Sequence, residues 1–164
     1  MKRLIRLLPI LLLVAAFDPL SIVKTSSVVS DPQGNLLPKR VPGSFVDYTT
    51  TIGNPNGVLT AVNGITFTDA IPANTTLRVA DIGLLIFGPV DVAVGLSLLT
   101  YNFSGLGSTT DRIDFSSDNG ATWTYTPVAD ANGCDDRVTN IRVRLGGNQL
   151  AGSSFSVRFR VRVK

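Results

Sequence analysis

Apolar and polar residues alternate with a period of two along most of this chain, and turn-forming residues interrupt the alternation about every ten positions. The closing segment is the clearest case. Phe155, Val157, Phe159, Val161 and Val163 fall on one side of an extended backbone, and Ser156, Arg158, Arg160, Arg162 and Lys164 on the other. One greasy face and one charged face suit a strand that packs on a core and meets water behind. Similar runs predict strands over Leu20 to Val29, Ser44 to Ile52, Val62 to Thr68, Thr76 to Ala80, Asp111 to Ser116 and Val138 to Leu145. Asp118-Asn119-Gly120 carries residues that tolerate positive φ and predicts a hairpin turn into Trp123-Thr124-Tyr125. Ile82 to Leu99 is apolar enough to suggest a membrane segment. Gly83, Gly88, Pro89, Asp91 and Gly95 interrupt it, so it predicts strands joined by a turn, with Tyr101 to Phe103 extending the second. Asp130 to Asp136 predicts a polar loop.

Seven to nine short strands with Gly-rich turns, and no helical period beyond the N-terminal segment, predict an all-β, two-sheet sandwich with Greek-key connections. A closed barrel is the alternative. No internal repeat is visible, so residues 17–164 predict a single domain.

The first residues follow a different rule. Lys2, Arg3 and Arg6 precede the apolar stretch Leu4 to Leu13, and Val14-Ala15-Ala16 supplies small residues for cleavage. This order predicts a helical signal peptide over residues 1–16 and an exported product found in the periplasm, at the cell surface or outside the cell. About 13 apolar positions, at 1.5 Å each, fall short of a hydrocarbon core about 30 Å thick, so no stable membrane span is expected after cleavage. An uncleaved N-terminal anchor is the alternative. No Cys follows the stretch, which argues against a lipid-anchored lipoprotein.

The segment also distorts the charge. It holds three of the 15 basic residues and none of the 12 acidic ones, so the remainder carries 12 of each. Nucleic-acid binding through bulk charge therefore has no support. Every acidic residue is Asp, there is no His, and Cys134 is the only Cys. Triads that need imidazole and zinc sites that need it are excluded, and no intrachain disulfide can form. Asp135-Asp136 would point apart on an extended backbone, which does not suit a carboxylate pair. No enzyme activity and no cofactor are expected.

Two candidate sites remain. Asp130, Asn132, Asp135 and Asp136 around Gly133 resemble the start of a calcium loop, but no Glu exists to close it, and a solvated hairpin loop explains the same residues. From Arg137 onward there are seven basic residues and no acidic one. If the last two long strands pair, Arg142 and Arg144 lie beside Arg158, Arg160 and Arg162 and form a possible anion-binding face. Its partner would be an acidic surface polysaccharide, a lipopolysaccharide phosphate or an acidic protein. The competing expectation is that Asp residues of neighbouring strands, such as Asp111 and Asp114, neutralise that face.

Pro42-Gly43-Ser44-Phe45-Val46-Asp47-Tyr48-Thr49-Thr50-Thr51-Ile52, followed by Asn54, resembles the "PG-x-x-V-x-Y-T-x-x-V-x-N" signature of the conserved-repeat domains of bacterial and archaeal surface proteins. These are grouped as domain of unknown function 11. Thr68-Asp69-Ala70-Ile71-Pro72-Ala73-Asn74-Thr75 is similar to that family's second element, and Val23-Lys24-Thr25-Ser26 to the segment that often precedes the first. The resemblance implies an immunoglobulin-like sandwich outside the cell and little about activity. The chain is thus expected to be a non-catalytic structural or adhesive module of the bacterial envelope or extracellular matrix. Its expected partners are other envelope or matrix proteins, with binding of an anionic glycan or lipid head group as the alternative. The strand Leu20 to Val29, next to the cleavage site, offers an edge for self-association.

Overall fold

The computed structural model describes residues 18–57, 60–84 and 87–164. The predicted signal peptide lies outside the described residues. Among those described there is no helix, and twelve strands are present. In chain order they are β1 (Ser21–Ser30), β2 (Phe45–Gly53), β3 (Val62–Asn63), β4 (Thr66–Ala70), β5 (Thr75–Arg78), β6 (Val90–Ala93), β7 (Leu98–Thr100), β8 (Ile113–Ser116), β9 (Cys134–Asp135), β10 (Asn140–Arg144), β11 (Gly146–Gln149) and β12 (Ser154–Val163).

All pairings are antiparallel. A six-stranded sheet runs β1-β2-β12-β5-β9, with β6 also paired to β12. Two three-stranded sheets run β4-β10-β8 and β3-β11-β7. β12 organises the large sheet, because both of its edges are occupied. It meets β2 from Ser154 to Arg162, β6 from Ser156 to Phe159 and β5 from Val161 to Val163. β1 and β9 end the sheet without meeting one another, so the fold is open and the closed-barrel alternative is excluded.

The alternation in β12 does what its pattern predicts. Phe155, Val157, Phe159 and Val161 are buried and the arginines point outward. Those four side chains, with Val46, Ile52, Leu77 and Val90, form one hydrophobic cluster with Ile113, Phe115, Ile141 and Val143 of the β4-β10-β8 sheet and Leu99 of the third. Each such side chain taken from water contributes about 1.5–3 kcal/mol, so this single cluster is the main source of stability in a domain without a disulfide.

The strand count exceeds the predicted seven to nine because one run is divided and two short strands form where none was predicted. Val62 to Thr68 is two strands, broken at Gly64 with φ +64°. β11 was not predicted, since Gly146-Gly147-Asn148-Gln149 lacks any strand-like composition. Gly147, at φ +78°, lets β11 close on β7, where a Cβ would collide with the Leu98 carbonyl oxygen. Tyr101 to Phe103 does not extend β7. The Asp130 to Asp136 loop contains a short strand, because Cys134 and Asp135 pair with Arg78 and Leu77 and are buried. The turn at Asp118 to Gly120 is present, with Asn119 at φ 60° and Gly120 at φ 84°.

Candidate functional site

The charged groups of the large sheet meet across strands. Asp47 on β2 stands opposite Arg160 on β12, and Asp91 on β6 opposite Arg158. Asp47 is buried. It accepts bonds from Arg160 Nε at 2.6 Å and Nη2 at 3.0 Å, and from Arg158 Nη1 at 2.8 Å. Arg158 Nη2 reaches Asp91 at 2.9 Å. One buried carboxylate therefore holds two guanidinium groups, a charge-assisted arrangement that ties β2, β12 and β6 together.

A second unit of the same kind braces the β4-β10-β8 sheet. Asp114 on β8 faces Arg142 on β10, with Arg142 Nε at 2.9 Å and Arg144 Nε at 2.8 Å from Asp114 Oδ2. Arg144 also donates to the Asp111 carbonyl at 2.8 Å, and the Arg142 guanidinium lies 4.6 Å from the centre of the Trp123 ring. The Asp111 carboxylate accepts the backbone N–H groups of Ser104 and Gly105 instead of an arginine.

The five arginines do not form one face. β10 lies between β4 and β8, and β12 between β2 and the β5/β6 side of the large sheet. Both edges of each strand are taken, so the two strands cannot pair. This corrects the predicted five-arginine surface: Arg142 and Arg144 belong to one sheet, and Arg158, Arg160 and Arg162 to another. Of the five, Arg162 alone makes no ion pair among the described residues. It lines an open depression of about 710 Å³ with Arg137, Lys164, Asp130, Asp135 and Asp136. Arg137 is well exposed there and stacks 5.2 Å from the centre of the Tyr125 ring.

The loop considered for calcium spends its oxygens locally. Asp130 Oδ1 accepts the N–H groups of Asn132 and Cys134, both at 2.8 Å. Asp135 Oδ2 accepts the Tyr125 hydroxyl and the Val128 N–H at 2.7 Å each, and its Oδ1 accepts the Arg137 N–H at 2.9 Å. These are turn-closing bonds, and the carboxylates do not converge. Among the described residues no three Cys or Asp side chains are grouped to hold a metal ion. Cys134 is 1% exposed, and burial pushes its thiol further up, so it is not a thiolate at neutral pH.

Sequence reasoning missed a buried polar corner. Gln149 Nε2 donates to the carbonyls of Ile52 at 3.0 Å and Ser153 at 3.2 Å, while Asn54 Nδ2 donates to those of Thr60 at 2.8 Å and Gln149 at 3.3 Å. These side chains satisfy carbonyls where β2 ends and the chain turns into β12. Asn54 before Pro55 carries a turn signal, but nothing local marks Gln149 as buried.

Two carboxylates have markedly lowered pKa values. Hydrogen bonds from the Ser116 hydroxyl and from Thr122 hold Asp118 at about 2 instead of 3.8. The Asn35 amide and the Lys39 N–H do the same for Asp31. Because the folded values lie below the unfolded ones, the stability they contribute is full above about pH 4 and is lost as pH falls towards 2. Asp118→Asn should therefore flatten the decline of the urea midpoint between those pH values. An undiminished decline in that variant would assign the acid sensitivity elsewhere.

Neither a family model, nor a curated protein, nor a solved structure matches this chain.

Proposed function

We propose that this protein is an exported, non-catalytic structural or adhesive module of the bacterial envelope or extracellular matrix, built as an immunoglobulin-like sandwich in which the two three-stranded sheets together make the layer facing the large one. The observation that carries the reading is how the charges are used. Asp47 and Asp114 each hold two arginines, so the polar groups with most reach brace strands. The export-type start of the chain and the resemblance of residues 42–54 and 68–75 to surface-protein repeats support the same reading. Production from the full coding sequence in a bacterial host, followed by fractionation and N-terminal sequencing, tests it. The expected product lies outside the cytoplasm and begins at Phe17. An intact chain that keeps Met1 and stays in the cytoplasm would overturn it.

A second reading has one observation in its favour. Arg162 and Lys164 make no ion pair among the described residues, and with Arg137, which is exposed and only 3.9 Å from Asp135, they line the open depression beside Asp130 and Asp136 and suit a carboxylate or phosphate of an anionic glycan or lipid head group. On an anionic polysaccharide column, exchanging these three for Ser should abolish salt-sensitive retention, and retention unchanged by the exchange would remove the reading.

A further inference from the structure

Among the described residues β1 has a neighbouring strand on one side only. It pairs with β2 from Ser21 to Ser30, and among the described residues no strand lies beside its other edge. Such an edge is a template for another strand. Near the start of β1, Ile22 is 68% and Val23 59% exposed, two adjacent large apolar side chains open to solvent. The β4-β10-β8 sheet stops short of β1. It leaves an apolar slot of about 330 Å³ between them, lined by Leu20, Ile22, Ile52, Ile65, Phe67 and Phe155 and bounded by Lys24 and Asp69. Lys24 Nζ bonds the two oxygens of Asp69 at 2.6 and 2.8 Å.

We propose that β1 pairs with β1 of a second copy of this chain, antiparallel, about a two-fold axis that passes through Thr25. A two-fold perpendicular to the sheet is the operator that joins identical edges as antiparallel strands while keeping both core faces on one side. It sets some residue opposite itself, so the possible registers are few. Ile22, Lys24, Ser26 and Val28 stand on the core side, opposite Ile52, Thr50, Tyr48 and Val46 of β2, and Val23, Thr25 and Ser27 on the outer side. The regular run ends at Val28, where the pairing shifts.

An axis through Lys24 would set two ammonium groups opposite one another, which is destabilising. An axis through Val23 sets Ile22 against Lys24 and leaves Val28 over. An axis through Ser26 sets Lys24 against Val28 and carries the pairing across the bulge. The axis through Thr25 pairs residues 22–28, all of the regular run but Ser21. Ile22 then faces Val28 of the second copy, Val23 faces Ser27 and Lys24 faces Ser26. Apolar meets apolar on the core side, and Lys24, held by its own Asp69, meets Ser26, whose hydroxyl bonds Arg40.

A lysine on the core side of an edge strand ordinarily discourages pairing. Here its charge is matched by Asp69, and its role becomes the choice of register. Val28 of each copy then lies beside Ile22 of the other and adds to the cover over that end of the slot. A contact made mainly by one strand from each copy is small, so the dimer should be weak and concentration-dependent. This deepens the structural-module reading by naming a second copy as the partner.

The test uses the protein purified from the fraction in which it accumulates, carrying single exposed cysteines. Facing residues of antiparallel strands have Cα atoms about 4.5–5.5 Å apart, within the span of a disulfide. T25C should form a disulfide dimer under mild oxidation. V23C should not, because its own counterpart is four residues along the strand, about 13 Å away. A tagged V23C chain mixed with S27C should give the mixed dimer. Cys134 is buried and takes no part. A T25C chain that stays monomeric, or equal cross-linking by T25C and V23C alone, would overturn the pairing and leave the export reading standing.

Discussion

Phe159→Ala is expected to destabilise the domain by about 3–5 kcal/mol, the range for removing a fully buried aromatic ring and leaving a cavity. Phe159 has no exposure, and its ring stacks on Tyr48 with centroids 5.7 Å apart. It stands on the strand that meets β2 on one edge and β6 on the other, so its cavity opens at the middle of the core. Neighbouring strands cannot collapse into that space without breaking register along β12. Against a total stability of about 5–15 kcal/mol, that is a large fraction of what keeps a domain folded. At about 2–4 °C per kcal/mol for a domain of this size, melting followed by circular dichroism should fall by roughly ten degrees. Leu36→Ala, at a side chain that is wholly exposed, should change it very little.

Asp47→Ala has the next largest expected effect, about 2–4 kcal/mol. The carboxylate is 5% exposed and bonds Arg158 and Arg160, both of them partly covered. Its removal leaves two like charges on one face of β12, with only Arg158 keeping another acidic partner, Asp91. Breaking a buried pair costs more than making it contributed, because the surviving charge stays short of water. Exposed pairs give less. Lys24, with its side chain 39% exposed beside Asp69, should cost under about 1 kcal/mol on truncation. Urea unfolding of the two variants separates the cases, and similar losses in both would place the stabilisation outside the buried cluster.

β12 was legible from the sequence because a strict period of two over ten residues has one physical meaning, and β2 because a run of β-branched and aromatic residues is bounded by Pro-Gly and Gly-Asn-Pro turns. The turn at Asn119-Gly120 was legible for a local reason, its tolerance of positive φ. The arginine site was not. Arg160 and Asp47 are 113 residues apart, and their meeting depends on the register between β2 and β12, which no local pattern states. Proximity along the chain suggested that β10 and β12 would pair. The four residues of β11 instead carry the chain into a different sheet. Cys134 and Asp135 were hidden for a similar reason, since two residues in a polar loop become a strand only because β5 lies beside them.

Asp47 and Asp114 hold paired arginines inside the sheet structure. A double-mutant cycle between Asp47 and Arg160, read by urea unfolding, measures that most directly. The predicted result is a coupling of about 1–3 kcal/mol, with Asp47→Ala much less damaging once Arg160 is already Ala. Strictly additive losses, or no loss from either single change, would contradict it.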